Sequence, residues 1–235
     1  MIRLRSFQVA LFSNLIIPDN KLEFVSKLIS TSNNIFNGDP VILPIPNDAP
    51  PEIPRIIVKS KDERLVCNVS MNRLDLFFNP KSETDALLDN IHDNFFGQII
   101  KIINFLNEIY HIKIFRVGIV ANLILNLKES SNIFIARKYL KDSNLISDTF
   151  ELQLHALNKI TLLNKYKANR WLRIMTSRDI QNQNNDKFLL VSIDINTLPD
   201  VSYDFDRELL TLVFKNAVED MQKLIKIHYS EVDNV

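Results

Sequence analysis

Apolar and polar residues alternate unevenly over residues 2 to 12. Ile2 and Leu4 fall on one phase and Phe7, Val9 and Leu11 on the other, which predicts a strand with a bulge, placed near a sheet edge. Asn20 and Glu23 have the spacing of a capping box ahead of Leu22, Val25, Leu28 and Ile29, so a short amphipathic helix is expected, ending near Asn33 and Asn34. Residues 40 to 54 hold six of the nine prolines. Proline donates no backbone hydrogen bond and cannot continue a helix, so this stretch predicts an extended internal loop. The runs 55–59, 65–69 and 74–78 are separated by turn-like residues and predict a three-stranded antiparallel meander. After Ser82, with Asp85 three residues on, a stripe from Leu87 through Ile91, Phe95, Ile99 and Ile102 to Ile109 recurs every three or four positions. It predicts one long helix lying across a sheet.

The pattern then restarts. Phe115, Val117, Ile119, Ala121, Leu123, Leu125 and Leu127 alternate strictly, the mark of a long strand with one wholly apolar face. A short helix is expected near 133–140, strands at 149–157, 160–166, 169–177 and 187–195, and a final helix from about Asp204. That helix carries the stripe Leu209, Leu212, Val213, Ala217, Met221, Leu224, Ile225. Each half, about 1–110 and 111–235, reads strand, short helix, antiparallel strands, long helix. The expected fold is α+β, a single domain of 1–235 in which two pseudo-duplicated units share a curved antiparallel sheet with the long helices packed on one face. The repetition is one of element order, without a residue-level repeat.

That order is similar to the topology of the TATA-box-binding-protein fold. Several segments also resemble a sporadically distributed, uncharacterised bacterial family. They are Pro54-Arg55-Ile56-Ile57-Val58, Asn72-Arg73-Leu74-Asp75-Leu76-Phe77-Phe78-Asn79, Phe115-Arg116-Val117-Gly118, Trp171-Leu172-Arg173-Ile174, Leu190-Val191-Ser192-Ile193-Asp194-Ile195 and the closing amphipathic helix. The family resemblance implies no established activity, only accessory or mobile gene content such as phage defence.

Composition narrows the chemistry. Lys plus Arg and Asp plus Glu both number 28, so any electrostatic partner site is local. Only three glycines occur, at 38, 97 and 118, too far apart to build a phosphate-cradling loop or a nucleophile elbow. The start, Met1-Ile2-Arg3-Leu4-Arg5, lacks the apolar run of a signal peptide. No stretch approaches the roughly 20 apolar residues needed to cross a bilayer, so a soluble, cytoplasmic protein without membrane contact is expected. The single cysteine, Cys67, lies in an alternating run and reads as a packed thiol rather than a nucleophile.

Several polar groups were candidates for chemistry. Asp89, His92 and Asp93 share one side of a helical pattern, but read better as solvated positions than as a metal site. His111 reads as a helix-end residue, His155 as a strand residue and His228 as a helix flank. Asp148, Glu151 and Gln153 faintly echo a metal-dependent nuclease motif but lack its lysine. Asp194 is expected on the polar side of its strand with Ser192 and Asn196. No catalytic residue, metal or cofactor is nominated.

One segment departs from this even distribution. Residues 159 to 178 carry Lys159, Lys165, Lys167, Arg170, Arg173 and Arg178 with no acid, interleaved with Tyr166 and Trp171. Such a set can neutralise phosphates while its rings stack on bases, or meet a protein, or simply keep a sheet edge solvated. Because strand residues alternate faces, its charge is expected to divide between two surfaces. The leading expectation is a non-enzymatic interaction or scaffold protein that binds another protein or a second copy of itself. The alternative is a nucleic-acid-binding protein acting through 159–178.

Overall fold

The computed structural model describes residues 2–14, 16–17, 19–46, 48–91, 95–140, 151–177, 187–201 and 203–230. In chain order the elements are β1 (Ile2–Phe12), α1 (Lys21–Thr31), β2 (Val41–Ile42), β3 (Ile56–Lys59), β4 (Leu65–Val69), β5 (Arg73–Phe78), α2 (Gly97–Asn104), β6 (Arg116–Asn126), α3 (Ser131–Tyr139), β7 (Gln153–Leu162), β8 (Tyr166–Ser177), β9 (Phe188–Thr197) and α4 (Arg207–Tyr229). The nine strands form one open antiparallel sheet in the order β2-β3-β4-β5-β1-β6-β9-β8-β7. The fold is α+β. In each half the first strand pairs with that half's last strand, β1 with β5 and β6 with β9, and the two first strands meet at a central seam.

The seam corrects one expectation. β1 is not near an edge: it pairs with β5 through Phe7–Phe12 and with β6 along its whole length. The broken alternation comes from the bulge alone, at Leu4/Ser6 in the β1–β6 register. After the bulge Phe7, Val9 and Leu11 are buried, opposite the strictly alternating Ala121, Ile119 and Val117 of β6.

Helix starts and stops were less legible. Asn20 caps α1 as expected, its side chain accepting from the Glu23 N–H at 3.2 Å, but the Glu23 carboxylate accepts from the Asn20 side-chain amide at 3.1 Å where a capping box would use the backbone N–H. The buried face of α1 is Phe24, Val25 and Leu28, and Leu22 is 73% exposed. The expected long helix from Ser82 is instead broken. Ser82 holds an isolated turn by accepting from the Asp85 N–H, Leu87 is extended, and the Ala86 carbonyl accepts from the Leu4 N–H beside the bulge. Helical geometry resumes in a 3-10 turn at Leu88–Asn90, and regular helix is described at Gly97–Asn104, followed by a π-helical turn at Phe105–Ile109. The final helix starts at Arg207, with Asp206 accepting from the Leu209 N–H at 2.8 Å. Its buried face is Leu210, Val213, Phe214, Ala217, Val218, Met221 and Leu224, so Leu212, 53% exposed, lies off the expected stripe.

In the second half, the expected strands 149–157 and 160–166 are one strand, β7, and residues 149 and 150 lie outside the described residues. The β7–β8 turn comes later, where Leu163 and Asn164 take φ of 49° and 55° and the Lys165 N–H closes on the Leu162 carbonyl at 3.0 Å. Two positive φ values in succession are what a type I′ turn requires.

Among the described residues every positive φ belongs to a residue other than glycine. His111, at φ 53°, follows the π-helical turn, and the next N–H, that of Ile112, reaches back to the Leu106 carbonyl at 3.0 Å. This is the position at which helix ends favour glycine, and an ordinary side chain there costs about 1 kcal/mol. His111→Gly is therefore expected to raise the thermal midpoint by about 2–4 °C, read by calorimetry; an unchanged or lower midpoint would contradict the strain.

The proline-rich stretch folds back on the sheet around one side chain. Arg55 is 1% exposed, and its guanidinium donates to the carbonyls of Ile53 (3.0 Å), Pro46 (3.2 Å) and Ala49 (3.3 Å). Cys67 is fully buried, and burial first, then the charge of Asp75, pushes its thiol pKa up, away from thiolate chemistry.

Candidate interaction surface

Strand register divides the sheet into two faces. One carries Phe7, Val9, Leu11, Val117, Ile119, Ile193 and Ile174, all at or near zero exposure, and the helices pack on it. The other holds the alternate positions and no described element lies over its centre. One row, crossing from β5 to β7, is Phe77, Gln8, Val120, Asp194, Trp171 and Leu157. The row beside it is Asp75, Ala10, Gly118, Asn196, Asn169 and Lys159. At the seam the second row is floored by the short pair Ala10 and Gly118, between the longer pairs Gln8–Val120 and Phe12–Arg116.

The charges on this open face are organised in pairs. Asp75, 3% exposed, accepts from Arg73 Nε at 2.7 Å and Gln8 at 2.9 Å. In the other half Asp194 accepts from Arg173 at 3.3 and 3.4 Å and from Asn196 at 2.9 Å. Each half thus has one aspartate on its last strand, neutralised by one arginine. Arg116 lies over the Phe12 ring at 4.5 Å and Arg73 lies 5.7 Å from the same ring. Burial lowers the Arg116 pKa, Asp194 raises it and Arg73 lowers it, consistent with a place between the two pairs. Arg173 also lies 5.3 Å from the Trp171 ring. Asp194 shares its face with Ser192 and Asn196, as the alternation implied.

The basic segment is divided in the same way. Lys159, Lys167 and Arg173 are on the open face, and among the described residues neither lysine makes an ion pair. Arg170 is on the helix face, where its Nη1 donates to both carboxylate oxygens of Asp220 of α4, at 2.8 and 3.0 Å. Replacing it would therefore break a link between β8 and α4. Tyr166 is not a surface ring: it is 7% exposed and packs against Tyr203 and Phe205 at 5.1 and 5.5 Å. Lys165 sits in the hairpin turn over the Tyr166 ring at 5.3 Å. Arg178 lies outside the described residues.

Of the other candidates, Asp89 accepts from Gln222 at 2.6 Å, Glu151 accepts from Gln153 at 2.6 Å, and His92, Asp93 and Asp148 lie outside the described residues. His228 has its pKa lowered by burial, then by Lys138 and Arg170, and lies 3.3 Å from the Tyr139 hydroxyl. Among the described residues no three His, Cys, Asp or Glu side chains converge to hold a metal. None of the described helices is long and apolar enough to cross a membrane.

Among the open-face residues that the sequence did not mark as site candidates are Gln8, Phe12, Arg73, Asp75 and Arg116. They come from three strands far apart in the chain, and only the pairing of β5, β1 and β6 brings them together. No protein-family model matches this chain, and no curated protein matches it either.

Proposed function

We propose that the protein is a non-enzymatic interaction or scaffold protein whose open sheet face receives a protein partner. The observation that carries this reading is the composition of that face. Arg73, Arg116 and Arg173 stand on it among the rings of Phe12, Phe77 and Trp171, the carboxylates of Asp75 and Asp194 are neutralised by neighbouring arginines, and Lys159 and Lys167 are left to meet acidic groups of the partner. Arg, Trp, Phe and Met are the types enriched at protein interfaces. An accessory role, such as in phage defence, rests on the sequence resemblance alone.

Nucleic acid is the second reading, favoured by Lys159, Lys167 and the Trp171–Arg173 stack on one face. Asp75 and Asp194 weigh against it, since both lie on that face and hold Arg73 and Arg173 in ion pairs. A photoreactive phenylalanine in place of Phe77, on the open face, and in place of Leu22, on the outer side of α1, separates the readings in native cells. Nuclease-resistant protein adducts from position 77 and not from position 22 are expected. Nuclease-sensitive adducts would transfer the proposal to nucleic acid, and an absence of position-specific adducts would end both.

A further inference from the structure

The two edges of the sheet are built differently. At one end, β2 is two residues long and flanked by Pro40 and Pro44, which blunts it against further pairing. At the other, β7 is ten residues long, has no proline and carries one lysine. Its inner side pairs with β8, and among the described residues no strand pairs with its outer side.

The hydrogen-bond phase fixes which groups face outward. The Thr176 N–H donates to the Leu152 carbonyl at 3.1 Å, and the Leu198 N–H to the Lys167 carbonyl at 3.1 Å. Even-numbered residues of β7 therefore bond to β8, leaving the N–H and C=O of Gln153, His155, Leu157, Lys159 and Thr161 directed outward. These five positions are symmetric about Leu157, which is 45% exposed.

We propose that a second copy of this chain pairs its own β7 antiparallel to this edge, with the two-fold axis at Leu157. That register is the one that uses all five outward positions of both strands. It sets Leu157 against Leu157, Gln153 against Thr161 and His155 against Lys159, so the only strand cation does not meet itself. On the helix side it sets Leu154 against Ile160, two half-buried apolar residues beyond which no described strand lies. A two-fold pairing of like edges is a closed assembly, since it consumes both free edges and leaves only the blunted β2 ends. The proposal concerns the edge and is independent of what binds the open face, although pairing would run two such faces into one.

The test uses the purified full chain. Light scattering is expected to give twice the chain mass. Under mild oxidation Leu157→Cys is expected to cross-link into a dimer, because facing residues of a hydrogen-bonded pair have Cα atoms about 5.5 Å apart, within disulfide range. Gln153→Cys is expected not to, since the two copies of that residue would stand eight positions apart, about 27 Å. Cys67 is buried and stays out of the reaction. Leu157→Lys is expected to yield a monomer with an unchanged thermal midpoint. A monomeric wild type, a dimer that Leu157→Cys fails to link, equal linking at 153, or a Leu157→Lys dimer would each overturn the proposal.

Discussion

Arg55→Met is expected to destabilise the protein by about 3 kcal/mol, lowering the thermal midpoint by about 6–12 °C, and to open the proline-rich loop to proteolysis. The loop's prolines remove backbone donors from their own neighbourhood, so its carbonyls have few N–H groups to meet. The guanidinium supplies three donors at once, to Pro46, Ala49 and Ile53. Methionine keeps the aliphatic bulk of a side chain that is 1% exposed but leaves those acceptors without it. Among the described residues Arg55 has no carboxylate within ion-pair distance, so the carbonyl dipoles are what offset its burial, and the loop and the cation stabilise one another. Lysine should not rescue: a single ammonium on a flexible stem does not reproduce a planar fork aimed at three carbonyls. Chemical denaturation together with limited proteolysis checks this. If cleavage within 44–54 is no faster in Arg55→Met, the guanidinium does not hold the loop.

The second large effect lies at the seam. Phe7→Ala is expected to cost about 4 kcal/mol, with unfolding still a single transition. Phe7 is fully buried, pairs across β1 with Phe78 of β5 and Ala121 of β6, and makes edge-to-face contacts with Phe95 and Phe96 at 5.9 and 6.1 Å. Phe96 in turn stacks on Phe214 of α4 at 5.3 Å. One aromatic chain thus joins the first strand of the first half to the last helix of the second. Truncating Phe7 removes the middle of a packed cluster, where the facing Ala121 is too small to fill the gap. Urea unfolding followed by both tryptophan fluorescence and circular dichroism tests the coupling. Non-coincident curves would show that the halves unfold separately.

The sequence revealed strands better than helices, for a physical reason. Alternation is clear where one side of a strand is buried and the other is not, and in β6 every second residue from Val117 to Leu125 is apolar and buried. β1 was misplaced because a bulge and an edge both disturb alternation, and the residues alone do not distinguish them. The stripe from Leu87 to Ile109 falls on helical turns at Leu88–Asn90 and Gly97–Ile109, but the expected start at Ser82 does not join them, because Leu87 is extended and the Ala86 carbonyl is drawn to the Leu4 N–H. The polar pair Asn158-Lys159 suggested a break in β7, when the reversal comes at Leu163-Asn164. At the candidate surface, the division of the basic segment between faces followed from alternation. The partners did not: Arg170 with Asp220 and Arg73 with Asp75 and Phe12 depend on packing and register. Tyr166 reads as a surface ring in the sequence because nothing local shows that Tyr203 and Phe205 fold over it.

The seam between β1 and β6 also sets the order of events during synthesis. The first half can close its own part of the sheet once residues 73–78 have left the ribosome, since β5 is the inner neighbour of β1. The other side of β1 must then wait for residues 116–126. Over that interval the nascent chain presents a strand eleven residues long, with Val9 and Leu11 on its buried side, as an unpaired edge. The second half is therefore the cap that ends the vulnerable period of the first.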